Sequence, residues 1–415
     1  MIYFKKFFLC PVIYILCVSP YIISSTNFTS NEKIIENRNV KRSIEEINNF
    51  KYGNEIMDNL STNKRKKRDI IKSLYKWTSP IIYNIDFKLH SAVIINAINA
   101  INKFTCLKIK YRQFLYRSQT GINFIESNKC FAHLGKIVDK DWQNIYIGKE
   151  CNTVGGVLRL ILRTLGVIYE HNRVDRNLFI KVYKQNIAEA DKQYFHKYLG
   201  PEIEHLCFSY DYGSLMHFGM FYYSKNGGRT LTPRDHFYEN TVGQEDFFNF
   251  NDAKNVNLYY CIAKCRERII CKNFGYQDPK NCKKCICIQG YEGDTCKKYT
   301  KSLALCGSPR MIAKDKPVYY KITGKKYCIY HLKSKSQKKI QLVILKISME
   351  PKHYLTCPIN RSFEVKYWMD KSVSGARFCY HRFPKIIKSQ DSYMILQYKS
   401  IDPRSYVYFY YKEIP

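Results

Sequence analysis

Past Trp77 the chain alternates between two hydrophobic periods. Pro80-Ile81-Ile82-Tyr83-Asn84-Ile85-Asp86 is a short apolar run closed by polar residues and predicts a strand. Val93, Ile94, Ala97, Ile98 and Ile101 then recur at helical spacing and predict a helix running up to Cys106. Tyr111 to Tyr116, Ile122 to Ile125 and Asn144 to Gly148 predict further strands. After Asn152, a stripe of Val157, Leu158, Ile161, Leu162 and Leu165 predicts a second helix. Arg159 and Arg163, one turn apart, share its other face, directed away from that stripe. From about residue 298, period-two alternation in Lys339 to Ile347 and Tyr406 to Tyr411 predicts a β-domain. The expected fold class is α+β.

The leading residues carry a different pattern. Lys5-Lys6 precedes an apolar run from Phe7 to Ile23, broken by Pro11 and Pro20. Such a run is too short and interrupted for a span of roughly 20 residues and reads as a secretory signal over 1–24. No later stretch is long and apolar enough to span a bilayer. Residues 25–68 are polar and aromatic-poor and cannot bury enough surface to fold alone. They close on Lys64-Arg65-Lys66-Lys67-Arg68, a processing-type boundary that makes 25–68 a propeptide.

Composition narrows the setting. Of seventeen cysteines, removal of Cys10 and Cys17 with the signal leaves fifteen, so an oxidising compartment and at least one thiol unpaired or shared between chains are expected. Acceptors for N-glycosylation stand at Asn27, Asn59 and Asn360, of which Asn360 alone lies outside the leader. The formal charge of +33 admits two explanations. A basic secreted protein can dock on anionic glycan surfaces. A chain rich in Ile, Asn, Tyr and Phe also carries the bias of A/T-rich codons. A secreted disulfide protein excludes nucleic acid as the expected partner.

The richest segment is Arg159-Leu160-Ile161-Leu162-Arg163-Thr164-Leu165-Gly166-Val167-Ile168-Tyr169, followed by Glu170-His171-Asn172-Arg173-Val174-Asp175-Arg176. It has the outline of the zinc-protease helix H-E-x-x-H-x-x-G-x-x-H. With Gly166 as the fixed glycine, the three ligand positions hold Arg159, Arg163 and Tyr169, and the base position holds Leu160. A second signature is Tyr210-Asp211-Tyr212-Gly213-Ser214-Leu215-Met216-His217-Phe218. Trp77, Thr105-Cys106, Ser224-Lys225-Asn226-Gly227, Thr230-Leu231-Thr232-Pro233, Val242-Gly243-Gln244 and Asn257-Leu258-Tyr259-Tyr260-Cys261 accompany them.

Together these motifs, from about 77 to 261, resemble the astacin family of metzincin endopeptidases, in the nematode arrangement with EGF-like and CUB-like tails. The resemblance implies a peptidase domain over 69–262, an EGF-like module over 263–297 and a CUB-like β-sandwich over 298–415. Asn273-Phe274-Gly275-Tyr276, Gly290-Tyr291-Glu292-Gly293 and Gly375-Ala376-Arg377-Phe378-Cys379 carry the likeness of the tails. It also implies the disulfides Cys106–Cys261, Cys130–Cys151, Cys265–Cys282, Cys271–Cys285 and Cys287–Cys296. The spaced pairs Cys306 with Cys328 and Cys357 with Cys379 complete the set, and Cys207 becomes the odd thiol. By residue type alone, the six cysteines from 265 to 296 allow fifteen connectivities.

Family membership implies zinc and peptide hydrolysis, but the residues argue otherwise. A guanidinium has only donors and stays charged, so Arg159 and Arg163 cannot ligate a cation. Leu160 cannot take a proton from water, and Phe218 lacks the hydroxyl of the Met-turn tyrosine above Met216. No cofactor is expected, and the leading reading is a secreted pseudoprotease that binds extracellular proteins or peptides, acidic ones included. The competing reading is an active zinc metalloendopeptidase, and a third assigns the function to the CUB-like tail. Tyr52-Gly53-Asn54-Glu55-Ile56 resembles a drifted propeptide switch, placing Glu55 against Arg159 or Arg163. Glu170 stands where the family receives the new N-terminal ammonium after processing.

Overall fold

The computed structural model describes residues 68–71, 75–112, 120–199, 203–204, 208–351, 355–381 and 383–415. Glu55, Asn27, Asn59, the leading apolar run and Cys207 lie outside the described residues.

Strand β1 (Arg68–Ile71) pairs with Ile203–Glu204, and Ile71 N–H reaches Gly166 O at 2.9 Å. Five strands then form the first large sheet: β2 (Ile81–Ile85), β3 (Ile109–Tyr111), β4 (Gly121–Glu126), β5 (Phe131–Ala132) and β6 (Trp142–Ile147). They lie in the order β3-β2-β4-β6-β5, parallel except for β5 against β6. Alternate burial along β6, with Gln143, Ile145 and Ile147 inside, is the signature of a sheet with one face on a core. A strand is present at Ile109–Tyr111, where Ile109 buries and pairs with Ile81, and most of the strand expected over Tyr111 to Tyr116 lies outside the described residues. Helix α1 (Ser91–Phe104) buries Ile94, Ala97, Ile98 and Ile101 on this sheet's core. Helix α2 (Val154–Thr164) packs beside it.

Below α2 regular structure is sparse: short 3-10 turns, the pair Ile180–Val182 with Leu231–Pro233, and α3 (Phe250–Cys261). A reciprocal capping box of Asn249 and Asp252 starts α3. Among the described residues seven disulfides are present: Cys106–Cys261, Cys130–Cys151, Cys265–Cys282, Cys271–Cys285, Cys287–Cys296, Cys306–Cys328 and Cys357–Cys379. Three of them staple a small unit containing only two-residue strands between 276 and 299.

The last unit holds two five-stranded sheets. One orders Arg310–Ala313, Tyr327–Ser334, Tyr393–Lys399, Ser362–Lys366 and Ala376–Phe378. The other orders Val318–Thr323, Tyr406–Ile414, Lys339–Ser348 and Tyr380–His381, with Lys385–Lys388 also on the Lys339–Ser348 strand. Their inner faces meet through contacts such as the stacked rings of Phe363 and Phe409, 5.4 Å apart.

This unit is docked on the first. Asp235 accepts from Tyr367 Oη–H and, at 3.2 Å, from Trp368 Nε1–H. Asp211 accepts from Ser374 N–H at 3.1 Å, Thr241 Oγ1 from Arg377 N–H at 2.9 Å, and Asn240 O from Cys357 N–H at 2.8 Å. Among the described residues no helix is long and apolar enough to cross a membrane.

Candidate functional site

Helix α2 carries the altered motif, and its neighbours fix its orientation. Thr153 Oγ1 caps the first turn by accepting from Gly156 N–H at 3.1 Å. A Cβ on Gly155 would stand 1.7 Å from Glu245 O, so only glycine lets the 244–246 segment lie against the helix start. Gly166 ends the helix at φ +92°, donating to Arg163 O while Val167 N–H reaches Leu162 O. Trp77 Nε1–H and Tyr260 Oη–H take up the terminal carbonyls of Thr164 and Leu165 at 2.9 and 2.8 Å.

Arg159, at the first ligand position, is 2 % exposed. Its Nε donates to Leu215 O at 3.0 Å and its Nη2 to Gln244 O at 3.2 Å. Nη1 reaches Tyr222 Oη at 3.2 Å and Glu245 Oε1 at 3.3 Å. The guanidinium therefore ties α2 to the segment before Met216 and to the Gln244–Glu245 loop. This corrects the expectation that Arg159 lies with Arg163 on a face directed away from the buried stripe. Gly155, Val157 through Leu162 and Thr164 are all buried, so the helix has no solvent face at that angle.

Arg163 is half-buried and behaves differently. Its Nε donates to Ala132 O at 2.8 Å, and its guanidinium lies 5.2 Å from the centre of the Tyr169 ring. Burial, which by itself lowers its pKa, is outweighed by the phenols of Tyr169, Tyr198 and Tyr223, so the group is held above its ordinary value. Leu160, at the base position, is 1 % exposed and belongs to the apolar core.

Tyr169 opens onto a block of rings. Phe218 lies 4.8 Å from Tyr169 and stacks on His171 at 3.8 Å, with Phe195, Tyr222 and Tyr223 around it. Phe218 is 1 % exposed, so where the family carries a tyrosine hydroxyl this chain has packed aromatic surface. Met216 is equally buried; its N–H donates to Ser214 Oγ at 2.9 Å, and its carbonyl accepts from Glu170 N–H at 2.8 Å. Asp252 holds the turn from below, accepting from Ser214 Oγ–H and from Leu215 N–H. Burial raises the Asp252 pKa to about 6.

Two histidines survive here, both buried. His217 donates from Nδ1 to Phe218 O at 2.7 Å, which leaves Nε2 to accept from Tyr210 Oη–H at 2.7 Å. Burial pushes its pKa down to about 4. His171 bonds Tyr194 O through Nε2 at 3.1 Å, while its buried Nδ1 has no hydrogen-bond partner. Its pKa is lowered well below the usual value by burial, with His217 and Arg176 adding to the effect. Glu170 places a carboxylate oxygen 3.4 Å from Arg173.

The donor set does not fit zinc. A catalytic site needs three nitrogen or carboxylate ligands and an open position for water. Among the described residues no three His, Cys, Asp or Glu side chains converge in a metal-holding group. Of the two buried imidazoles beside α2, only His171 keeps an unpartnered nitrogen, and one nitrogen does not make a zinc site. Sequence reasoning singled out Arg159, Leu160 and Arg163 on α2 but missed the burial of Arg159 and its partners Tyr222 and Glu245. A buried arginine demands acceptors, and a Glu immediately after Val242-Gly243-Gln244 was the available signal.

The sequence pattern of the astacin peptidase family matches residues 69–261. Zinc metalloproteinase nas-34 of Caenorhabditis elegans is 30 % identical over 346 residues, covering 81 % of this chain and 56 % of that protein. Zinc metalloproteinase nas-36 of Brugia malayi is 33 % identical, covering 58 % and 42 %. Blastula protease 10 of Paracentrotus lividus is 27 % identical, covering 84 % and 60 %. The chain thus spans between 42 and 60 % of the length of these curated relatives. Among solved structures, high choriolytic enzyme 1, a hatching enzyme zinc-protease from Oryzias latipes, aligns at 25 % identity. That alignment has a TM-score of 0.39 and covers 45 % of this chain and 94 % of that one. With its motifs on α2 and at Met216 in the family's order, the chain belongs to the astacin family of metalloendopeptidases through residues 69–261.

Proposed function

We propose that this protein is a secreted astacin-like pseudoprotease that acts by binding extracellular proteins or peptides rather than by cleaving them. The observation that carries the reading is Arg159: a buried guanidinium, hydrogen-bonded to four neighbours, stands where a zinc ligand is required. Leu160 and Phe218 remove the base and the hydroxyl from the same place. The two tail units fit an EGF-like module and a CUB-like sandwich, and the exposed Asn360 fits a glycosylated surface.

Burial takes Arg159 out of any partner-binding surface. Its donors are consumed inside the fold, so a carboxylate site built on Arg159 with Arg163 is not supported. A basic depression of about 480 Å³ supports surface binding better. Arg176, Lys181, Lys184, Lys192, Lys197 and Arg234 line it, with no acidic residue among its described lining.

The deciding measurement is metal analysis of the purified, processed protein together with peptide hydrolysis. The expected result is sub-stoichiometric zinc and no chelator-sensitive cleavage. One zinc per chain with cleavage abolished by chelator would establish the active endopeptidase instead.

A further inference from the structure

A cavity of about 440 Å³ lies where the three units meet. Its mouth and walls are aromatic and aliphatic. Phe104, 43 % exposed, stands edge-on to Phe247 and Phe248 at 5.9 and 5.5 Å, and Tyr276, Ile286 and Ile288 of the small unit face them. The opposite side comes from the last unit and is charged. Lys366, Arg377 and Lys399 line it, each at least nine-tenths buried, and so does Glu364.

The charges do not balance. Both Glu364 oxygens are taken, by Arg377 Nε–H at 3.1 Å and by Gly375 N–H at 3.0 Å, with Lys366 Nζ at 3.8 Å. Asp211, the next carboxylate, is held by Gly213, Ser374 and Asn249. Along the lining, Lys103, Lys280, Lys366, Arg377 and Lys399 thus stand against only Asp278 and Glu364. Lys366 spends its donors on the carbonyls of Lys371 and Val373. Donor capacity remains on two groups: Arg377 Nη1, buried without a hydrogen-bond partner, and Lys399, which bonds Gln289 Oε1 at 3.1 Å. A buried uncompensated cation is costly, and an anion brought to it relieves that cost.

We propose that this junction cavity binds a small monoanionic amphiphile, its head group on Arg377 and Lys399 and its apolar body against Phe104, Phe247 and Phe248. The volume falls in the range of small-molecule sites, about 300–1,000 Å³. A ligand there touches all three units and would clamp them together.

The test is calorimetric titration of the full chain with sodium decanoate and with uncharged decanol. Decanoate should bind one to one, at least tenfold more tightly than decanol. Its affinity should weaken as pH rises past 8, because burial brings the Lys399 pKa down to about 8 and the head group then loses a charged partner. Arg377→Gln should cost tenfold or more. Because that variant also breaks the Glu364 pair, Lys399→Met and the cavity-filling Ala253→Phe serve beside it, each expected to weaken decanoate tenfold with the fold retained. Absence of decanoate binding, equal binding of decanol, or full affinity in folded Lys399→Met and Ala253→Phe would overturn the proposal.

Discussion

Replacing Arg159 by methionine isolates what the guanidinium does, because the stem is kept and the donors are lost. The buried carbonyls of Leu215 and Gln244 lose their partners, and each unsatisfied buried acceptor costs about 1–3 kcal/mol. The Glu245 pair adds under ~1 kcal/mol, since the Glu245 side chain is 42 % exposed and screened. Relief of the buried guanidinium's desolvation works the other way. The net expectation is a loss of about 2–4 kcal/mol. Arg163→Met removes the donor to Ala132 O and the contact with the Tyr169 ring from a half-buried site and should cost about 1–2 kcal/mol. Urea unfolding checks this, followed by tryptophan fluorescence in a Trp368→Phe background. Trp77 and Trp142 then report on the first unit alone, which matters because a chain of three units need not unfold in one step. If Met at 159 shifts the midpoint no more than Met at 163, Arg159 is not a brace and its burial carries no structural meaning.

Restoring the ligand set by Arg159→His, Leu160→Glu, Arg163→His and Tyr169→His together should produce a zinc-dependent rise in melting temperature, while Arg159→His alone should not. Acid should destabilise the fold between pH 6.5 and 4. His217 and His331, both pushed to about 4 by burial, take up protons in that window only when unfolded. At about 1.36 kcal/mol per pKa unit, each contributes roughly 3 kcal/mol that disappears as pH falls. Asp252, raised to about 6, acts in the opposite sense over pH 6 to 3.8 and offsets one of them, so melting at pH 4.5 should lie below melting at pH 7. Equal or higher melting at pH 4.5 would contradict this. Asp235→Ala strips the acceptor shared by Tyr367 and Trp368 and should cost about 2–3 kcal/mol, read as faster proteolytic nicking between the first and last units.

Much of the fold was legible where periodicity speaks. Ile94, Ala97, Ile98 and Ile101 are buried as their spacing requires, and the alternation of Val407, Phe409 and Tyr411 points inward as period two demands. The α2 stripe was equally readable. What periodicity cannot give is the identity of whatever packs on the remaining face. Leu215, Tyr222, Gln244 and Glu245 lie 56 to 86 residues downstream of Arg159, and no local pattern joins them to it. The docking of the last unit was invisible for a related reason. It rests on single polar contacts such as those of Asp211 and Asp235, which look in sequence like ordinary loop residues.

That docking bears on how such a protein can change over generations. The segment from Asn240 to Asp246 is gripped from both sides. Cys357, Arg377 and Ile359 hold its backbone or side chains from the tail, and Arg159 holds Gln244 and Glu245 from α2. Head and tail are therefore not interchangeable cassettes. A lineage that swapped or shed the last unit would leave the Asp211 and Asp235 carboxylates without their bonds and would loosen the loop on which Arg159 depends. Replacements at 159 should therefore track replacements between 240 and 246 wherever this arrangement is inherited.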